Sequence, residues 1–179
     1  PLPEAEGEDP GLILASQRYR QRHAEFVEIT SLFLSNHDSF AGDRLWNQLN
    51  GDVVQYELAA ATYLLASRNP FTYYGEEVGI ANGEGLSGDH ALRTPMSWTS
   101  DPVSAGFSTV APFRALAGNS TTHNVELEGG DAQSLLNHYR DLLTVRNDYP
   151  VVAAGGLDAQ VMGGEDVLLL LRVSATECA

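Results

Sequence analysis

Apolar residues recur along this chain with two different periods, and the changes of period mark its elements. Glu28-Ile29-Thr30-Ser31-Leu32-Phe33-Leu34 is rich in β-branched, aromatic and apolar residues and stops at the polar tetrad Ser35-Asn36-His37-Asp38. This predicts a buried strand that delivers polar groups at its C-terminal end. Tyr56, Ala59, Ala60, Tyr63 and Leu64 return at helical spacing, and Asp52 with Gln55 supplies a capping-box-like start. A helix is therefore expected up to Ser67, stopped by Arg68-Asn69-Pro70, with Phe71-Thr72-Tyr73-Tyr74 as a second strand before Gly75. The order strand, polar loop, helix, strand is a βαβ unit and implies a parallel sheet, an α/β fold class.

The flanking segments read more simply. Pro1 to Pro10 lacks a period and is expected as a loop, and Gly11 to Arg22 as a short helix. Gly75 to Asp131 shows no sustained period; Met96, Trp98, Phe107 and Phe113 within it predict an ordered loop folded over the domain. Leu135, Leu136, Tyr139, Leu142, Leu143 and Arg146 outline an amphipathic helix ended by Asn147-Asp148-Tyr149-Pro150. Ala159 to Met162 and Val167 to Val173, joined by Gly163-Gly164-Glu165-Asp166, read as an antiparallel hairpin.

Charge narrows the partners. The 24 acidic residues against 10 basic ones, all Arg, leave a net charge of −14, whereas a nucleic-acid binder needs clustered cations. A neutral partner fits better. The single cysteine, Cys178, permits no intrachain disulfide, and the longest apolar run, Val167 to Leu171, is too short to span a bilayer. The chain opens on Pro1 with no signal-like pattern and no Met, so its first residue is not expected to be the start of translation. The compartment stays open.

Among the candidate chemistries, Asn36-His37-Asp38 is the sharpest, because barrel and doubly wound sheets place ligands at the C-terminal ends of parallel strands. Taken alone, the same residues also serve to satisfy a turn through side-chain to backbone bonds. No second His or Cys stands at zinc-ligand spacing from His37. Glu76-Glu77 looks like an acid and base pair, yet neighbours in an extended segment face opposite ways, so both are expected to be structural, anchoring an arginine such as Arg93. Tyr73, Tyr74, Trp98 and Phe40 offer stacking faces for a sugar ring or small satellite cores. Asn82, Glu84 and Asp89 could ligate calcium but lack the spacing of the helix-loop-helix calcium loop. Asn119-Ser120-Thr121 matches a glycosylation acceptor, a pattern common by chance.

Three segments in order carry a resemblance: Phe33-Leu34-Ser35-Asn36-His37-Asp38, then Asn69-Pro70-Phe71-Thr72-Tyr73-Tyr74-Gly75-Glu76-Glu77-Val78-Gly79, then Leu92-Arg93-Thr94-Pro95-Met96-Ser97-Trp98. Together with the helix after Ser134, they resemble the last third of α-amylase-family glycoside hydrolases, family thirteen. The resemblance implies that residues 1–150 are the C-terminal portion of a (β/α)8 TIM barrel, its last two strands and helices. Residues 151–179 would then begin an antiparallel β domain and leave it incomplete. It further implies that Asp38 matches the transition-state-stabilising aspartate, that His37 hydrogen-bonds the sugar, and that Asn36 and, more loosely, Arg44 take part in substrate binding.

The physics of glycosidic cleavage suits that assignment. A fixed carboxylate and hydrogen bonds to ring hydroxyls strengthen as an oxocarbenium-like state develops. The nucleophile and general acid of the family lie on earlier strands, upstream of this sequence, so the segment alone is expected to be inactive and to need the missing N-terminal part of its own barrel. The implied substrate is an α-glucan or maltooligosaccharide. No cofactor or metal is expected in this segment, and calcium is a candidate ligand elsewhere in the longer protein. A non-catalytic carbohydrate-binding or transporter-associated relative, and a transglycosylase or isomerase of the same family, stand as alternatives.

Overall fold

The structure is a computed structural model that describes residues 31–162, 167–174 and 178. The helix expected over Gly11 to Arg22, and the start of the first strand, lie outside the described residues.

Strand β1 (Ser31–Leu32) pairs in parallel with β2 (Asn69–Pro70), with Ser31 opposite Asn69 and Leu32 opposite Pro70. The Phe71 N–H extends the ladder by one bond to the Leu32 carbonyl at 2.8 Å. The second strand thus lies earlier than Phe71 to Tyr74. After Phe71 the chain turns away: the Glu76 N–H donates to the Tyr73 carbonyl, and Gly75 adopts φ 80°. A Cβ there would lie 2.3 Å from Ile80 Cδ1, so both space and dihedral require glycine.

The crossover between the strands carries a short helix, α1 (Leu45–Gln48), and the long helix α2 (Val53–Ala66). Asp52 caps α2 by accepting the Gln55 N–H, as its sequence position predicts. Tyr56, Ala60, Tyr63 and Leu64 form its buried face. They pack against Leu135 and Tyr139 of α5 (Leu135–Asp148), whose N-cap Ser134 accepts the Asn137 N–H.

The long segment between them is ordered, as its aromatic content predicts. It holds α3 (Asp89–Leu92) and α4 (Val125–Gly129), and Val78, Ile80, Met96, Ala117 and Leu136 close a second core beneath it.

Pro150 was expected only to stop α5. It also starts α6 (Pro150–Ala154), because the first helical position needs no N–H and suits the fixed φ of proline. The hairpin follows as β3 (Gly156–Met162) and β4 (Val167–Val173), antiparallel from Gly156 opposite Val173 to Met162 opposite Val167.

Two arginines tie this end to the helices. Arg146 of α5 donates to the Leu64, Ser67 and Arg68 carbonyls, and Arg172 of β4 to those of Leu65, Ala66 and Gly155. The C-terminal carbonyls of α2 lack helical partners, so these cations satisfy orphan acceptors at the negative end of the helix dipole.

Candidate active site

Asp38 stands just beyond the C-terminal end of β1, at the start of a 3-10 turn (Ser39–Ala41). Its backbone N–H donates to the Asn36 side-chain oxygen at 2.7 Å, so Asn36 shapes the turn that presents the two residues after it. The His37 Nε2 approaches Asp38 Oδ2 at 3.3 Å. The His37 side chain is mostly exposed, and that of Asp38 keeps 38% of its surface open. A carboxylate and an imidazole are therefore displayed side by side toward solvent.

Arg93 was expected to be anchored by Glu76 or Glu77. It pairs instead with Asp38. Its Nη2 donates to Asp38 Oδ1 at 2.8 Å and to Asp89 Oδ2 at 2.9 Å, while its Nε donates to the His37 carbonyl at 2.8 Å. Asp89 completes a clamp: its Oδ1 accepts the Ser39 N–H at 2.8 Å and the Ser39 hydroxyl at 2.9 Å. These bonds, with the Ser39 N–H first and the Arg93 charge after the hydroxyl, hold the Asp89 carboxyl below its usual range. Arg93 and Asp89 sit four residues apart on α3 and its end, so one short helix grips both sides of the Asp38 turn.

Glu76 is buried and accepts hydrogen bonds from Tyr63 at 2.8 Å, Tyr139 at 2.9 Å and Ser35 at 3.0 Å. The Tyr56 hydroxyl takes its backbone carbonyl at 2.7 Å. Burial raises the Glu76 pKa against the lowering effect of these donors. The residue is structural, as expected, but its partners are tyrosines of α2 and α5. Glu77 is partly buried; desolvation raises its pKa, while backbone N–H groups and the nearby Arg44 charge oppose the rise.

Arg44 is 1% exposed. Its guanidinium carbon lies 4.3 Å from the Tyr73 ring centroid and 4.6 Å from that of Tyr74, and its Nη1 donates to the Tyr74 carbonyl. Such stacking stabilises a desolvated guanidinium. Arg44 therefore underpins the two tyrosines and has no open face toward a sugar in this arrangement. Tyr73 and Tyr74 are fixed by hydroxyl bonds to the Leu92 and Thr94 carbonyls. Trp98, at 48%, and Phe40, at 80%, keep exposed rings.

Asn82 and Asp89 do not gather with Glu84 around a cation: the Asn82 amide donates to Asp43, and Asp89 holds Ser39 and Arg93. Among the described residues no group of three His, Cys, Asp or Glu side chains is placed to hold a metal ion.

This arrangement can be set beside known proteins. The family model for the alpha amylase catalytic domain matches residues 13–155. The chain belongs to the α-amylase family of glycoside hydrolases, family thirteen. Alpha-amylase SusG of Bacteroides thetaiotaomicron is 33% identical over 144 residues, which cover 79% of this chain and 19% of that protein. Trehalose synthase/amylase TreS of Mycobacterium tuberculosis is 36% identical, covering 73% of this chain and 22% of the relative. The chain thus spans about a fifth of the length of these curated relatives.

Among solved structures, an alpha-amylase from H. orenii superposes with a TM-score of 0.64 at 30% identity, over 83% of this chain and 28% of that one. The trehalulose synthase MutB from Pseudomonas mesoacidophila gives 0.69 at 22% identity over 83% of this chain and 33% of that one, a likeness of fold alone. These neighbours are α-amylase-family TIM-barrel enzymes, which agrees with the α/β fold class. Members of the family act on O-glycosyl bonds, and their substrates are carbohydrates. No helix among the described residues is long and apolar enough to cross a membrane.

Proposed function

We propose that this chain is the closing part of the catalytic barrel of a retaining α-glucan hydrolase, of α-amylase or α-glucosidase type. In this reading residues up to 150 supply the last two strands and helices of the barrel, and the hairpin from Gly156 opens a β domain. The observation that carries it is the Asp38 carboxylate, open to solvent beyond a parallel strand and held from behind by Arg93 at 2.8 Å.

A carboxylate fixed in this way can be aimed at a sugar ring before the reaction begins. As the glycosidic bond lengthens, positive charge grows on the anomeric carbon and ring oxygen, and a preorganised Asp38 stabilises it without reorienting. His37, exposed beside it, is placed to hydrogen-bond a ring hydroxyl. The turn set by Asn36 keeps the two in register. The nucleophile and the general acid come from residues outside this sequence, so the purified segment is expected to release no reducing sugar from maltooligosaccharides.

The test is Asp38→Asn in the full-length protein, with reducing-sugar release as the readout. Loss of a charge aimed at the transition state lowers turnover by about 100-fold or more, with the thermal midpoint little changed. Near-normal turnover removes Asp38 from this role. A second reading, transfer to a sugar hydroxyl instead of water, is favoured by the TreS relatives, at 36% identity. Chromatography of products from maltose separates the two, glucose marking hydrolysis and a new disaccharide marking transfer or isomerisation.

A further inference from the structure

The chain contains two Asn-Gly steps, Asn50-Gly51 and Asn82-Gly83. Glycine has no Cβ, so at such a step the backbone nitrogen after the asparagine can swing toward the asparagine side chain. In an unfolded chain the two steps are chemically alike. The fold makes them different, and we propose that Asn50 is a site of spontaneous deamidation in the folded protein, while Asn82 is shielded from the same reaction.

The reaction needs only water and its hydroxide. The Gly51 nitrogen gives up its proton to solvent base and bonds to Asn50 Cγ, and the Cγ–Nδ2 bond breaks to release ammonia. Water then opens the cyclic imide at one of its carbonyls. Opening at Cγ leaves aspartate; opening at the Asn50 main-chain carbonyl leaves isoaspartate, with the chain running on through Cβ and Cγ. Both products carry one more negative charge than asparagine.

Asn50 is open to this chemistry. It is exposed in the turn between α1 and α2, at φ 52°, and Gly51 follows at φ 75°. Among the described residues its side-chain amide makes no hydrogen bond, so Cγ can turn freely. What restrains the step is backbone alone: the Gly51 N–H donates to the Trp46 carbonyl at 2.9 Å and the Asp52 N–H to that of Leu49 at 3.0 Å. The attack requires the Gly51 bond to open, and an exposed turn after a four-residue helix opens at far lower cost than the whole fold.

Asn82 is held on every side. Its Oδ1 accepts the Arg44 N–H at 3.0 Å, its Nδ2 donates to Asp43 Oδ1 at 2.8 Å, and its own N–H donates to Asn47 Oδ1 at 2.7 Å. The Gly83 N–H is bound to the Ala91 carbonyl at 2.8 Å, and Gly83 pairs with Ala117 in a bridge. A Cβ on Gly83 would lie 2.8 Å from both Leu86 Cδ1 and Thr94 Cγ2, so the peptide has no room to rotate. Both side-chain bonds must break before Cγ can meet the Gly83 nitrogen.

The two products at position 50 differ in effect. Aspartate tolerates the left-handed conformation, as asparagine does, and its charge lies near the start of α2, where the helix dipole favours it. Isoaspartate adds a methylene to the main chain just before Asp52, whose carboxylate caps α2 through the Gln55 N–H at 3.0 Å. Gly51 is pressed against the Trp46 ring, where even a Cβ would lie 3.1 Å from Cζ2, so the longer chain cannot keep both the turn and the cap.

The experiment incubates the full-length protein at mildly alkaline pH, folded and unfolded in urea, and follows both steps by peptide mapping with mass spectrometry. Folded protein is expected to convert at Asn50, with Asn82 at least about 10-fold slower, the factor set by one hydrogen bond to a charged group. In urea the two should convert at comparable rates. Asp43→Ala, which removes the acceptor of the Asn82 amide, should speed conversion at Asn82 and leave Asn50 unchanged. The isoaspartate form, separated by anion exchange, should melt below the unmodified protein, and Asn50→Gln should not generate it. Folded protein that keeps Asn50 intact while the urea-unfolded chain converts overturns the proposal. So does equal or faster conversion at Asn82 in the fold, and an isoaspartate form with an unchanged thermal midpoint overturns the effect assigned to the α2 cap.

Discussion

Arg93 orients Asp38, and Asp89 in turn orients Arg93 while holding Ser39 in place. Through these bonds Asp89 acts as a positioning residue. Asp89→Asn keeps one acceptor and loses the charge, so Arg93 is released from one of its two carboxylates. A displacement of the order of 1 Å at the reacting group costs about 100-fold, which sets the upper end of the expected loss in kcat. KM should change far less, and Asp89→Glu should recover part of the rate. Equal changes in kcat and KM, or no rescue by Glu, would argue for a merely structural role.

The motif Asn36-His37-Asp38 was legible in the sequence because its residues are contiguous and follow a strand-like run. The clamp was not, since Ser39 and Asp89 are fifty residues apart in the chain and neither belongs to a recognisable spacing. Arg44 shows the opposite difficulty. The resemblance matched it to a substrate-binding arginine, and in the structure its guanidinium stacks on the rings of Tyr73 and Tyr74.

Between elements, α2 and α5 are joined by hydrogen bonds as well as by their apolar faces. Tyr63 and Tyr139, one from each helix, meet on the Glu76 carboxylate, so a buried acid lies where periodicity alone predicts only hydrophobic contact. The helices and the cap at Asp52 were readable from period and cap residues; the cap at Ser134 is seen in the structure. The carboxylate was not, because a Glu-Glu pair gives no sign of which member turns inward.

A second buried acid, from α4, meets the start of α5. Glu128 is 8% exposed and accepts the Leu136 N–H at 3.1 Å, and burial pushes its pKa up from the usual 4.5 to about 7. The folded state thus holds this proton more tightly than the unfolded chain. Its contribution to stability is fully present below the unfolded pKa of 4.5 and is lost as pH rises through about 7. The thermal midpoint is expected to fall over that window, and Glu128→Gln, which keeps an acceptor but cannot ionise, should flatten this part of the profile. A profile unchanged by the substitution would show that another group sets the slope.

Across the described residues, β1 and β2 share two paired positions, too few to hold these elements together by themselves. Cohesion comes from the helix pair and from the cations that fasten the hairpin to it. The hairpin itself was legible as two apolar runs around a Gly-rich turn, but its attachment was not: Arg172 and Leu65 are 107 residues apart in sequence. Arg172 is 6% exposed and lies over the end of α2.

Replacing it tests the joint. Arg172→Leu removes donors from the Leu65, Ala66 and Gly155 carbonyls at once. Hydrogen bonds from a charged group contribute about 1.5–3 kcal/mol each, and water can reclaim some of the freed carbonyls, so a net loss of roughly 2–3 kcal/mol is expected. Hydrogen exchange locates that loss. The β3 and β4 amides should exchange faster, while those in the middle of α2 and α5, which retain the Glu76 contacts and the Arg146 cap, should remain protected. Arg172→Lys, with one ammonium in place of a planar fork, should lie between the two. Uniform acceleration across all elements would mean that hairpin and helices open as one cooperative unit, with Arg172 no more a hinge pin than any other core residue.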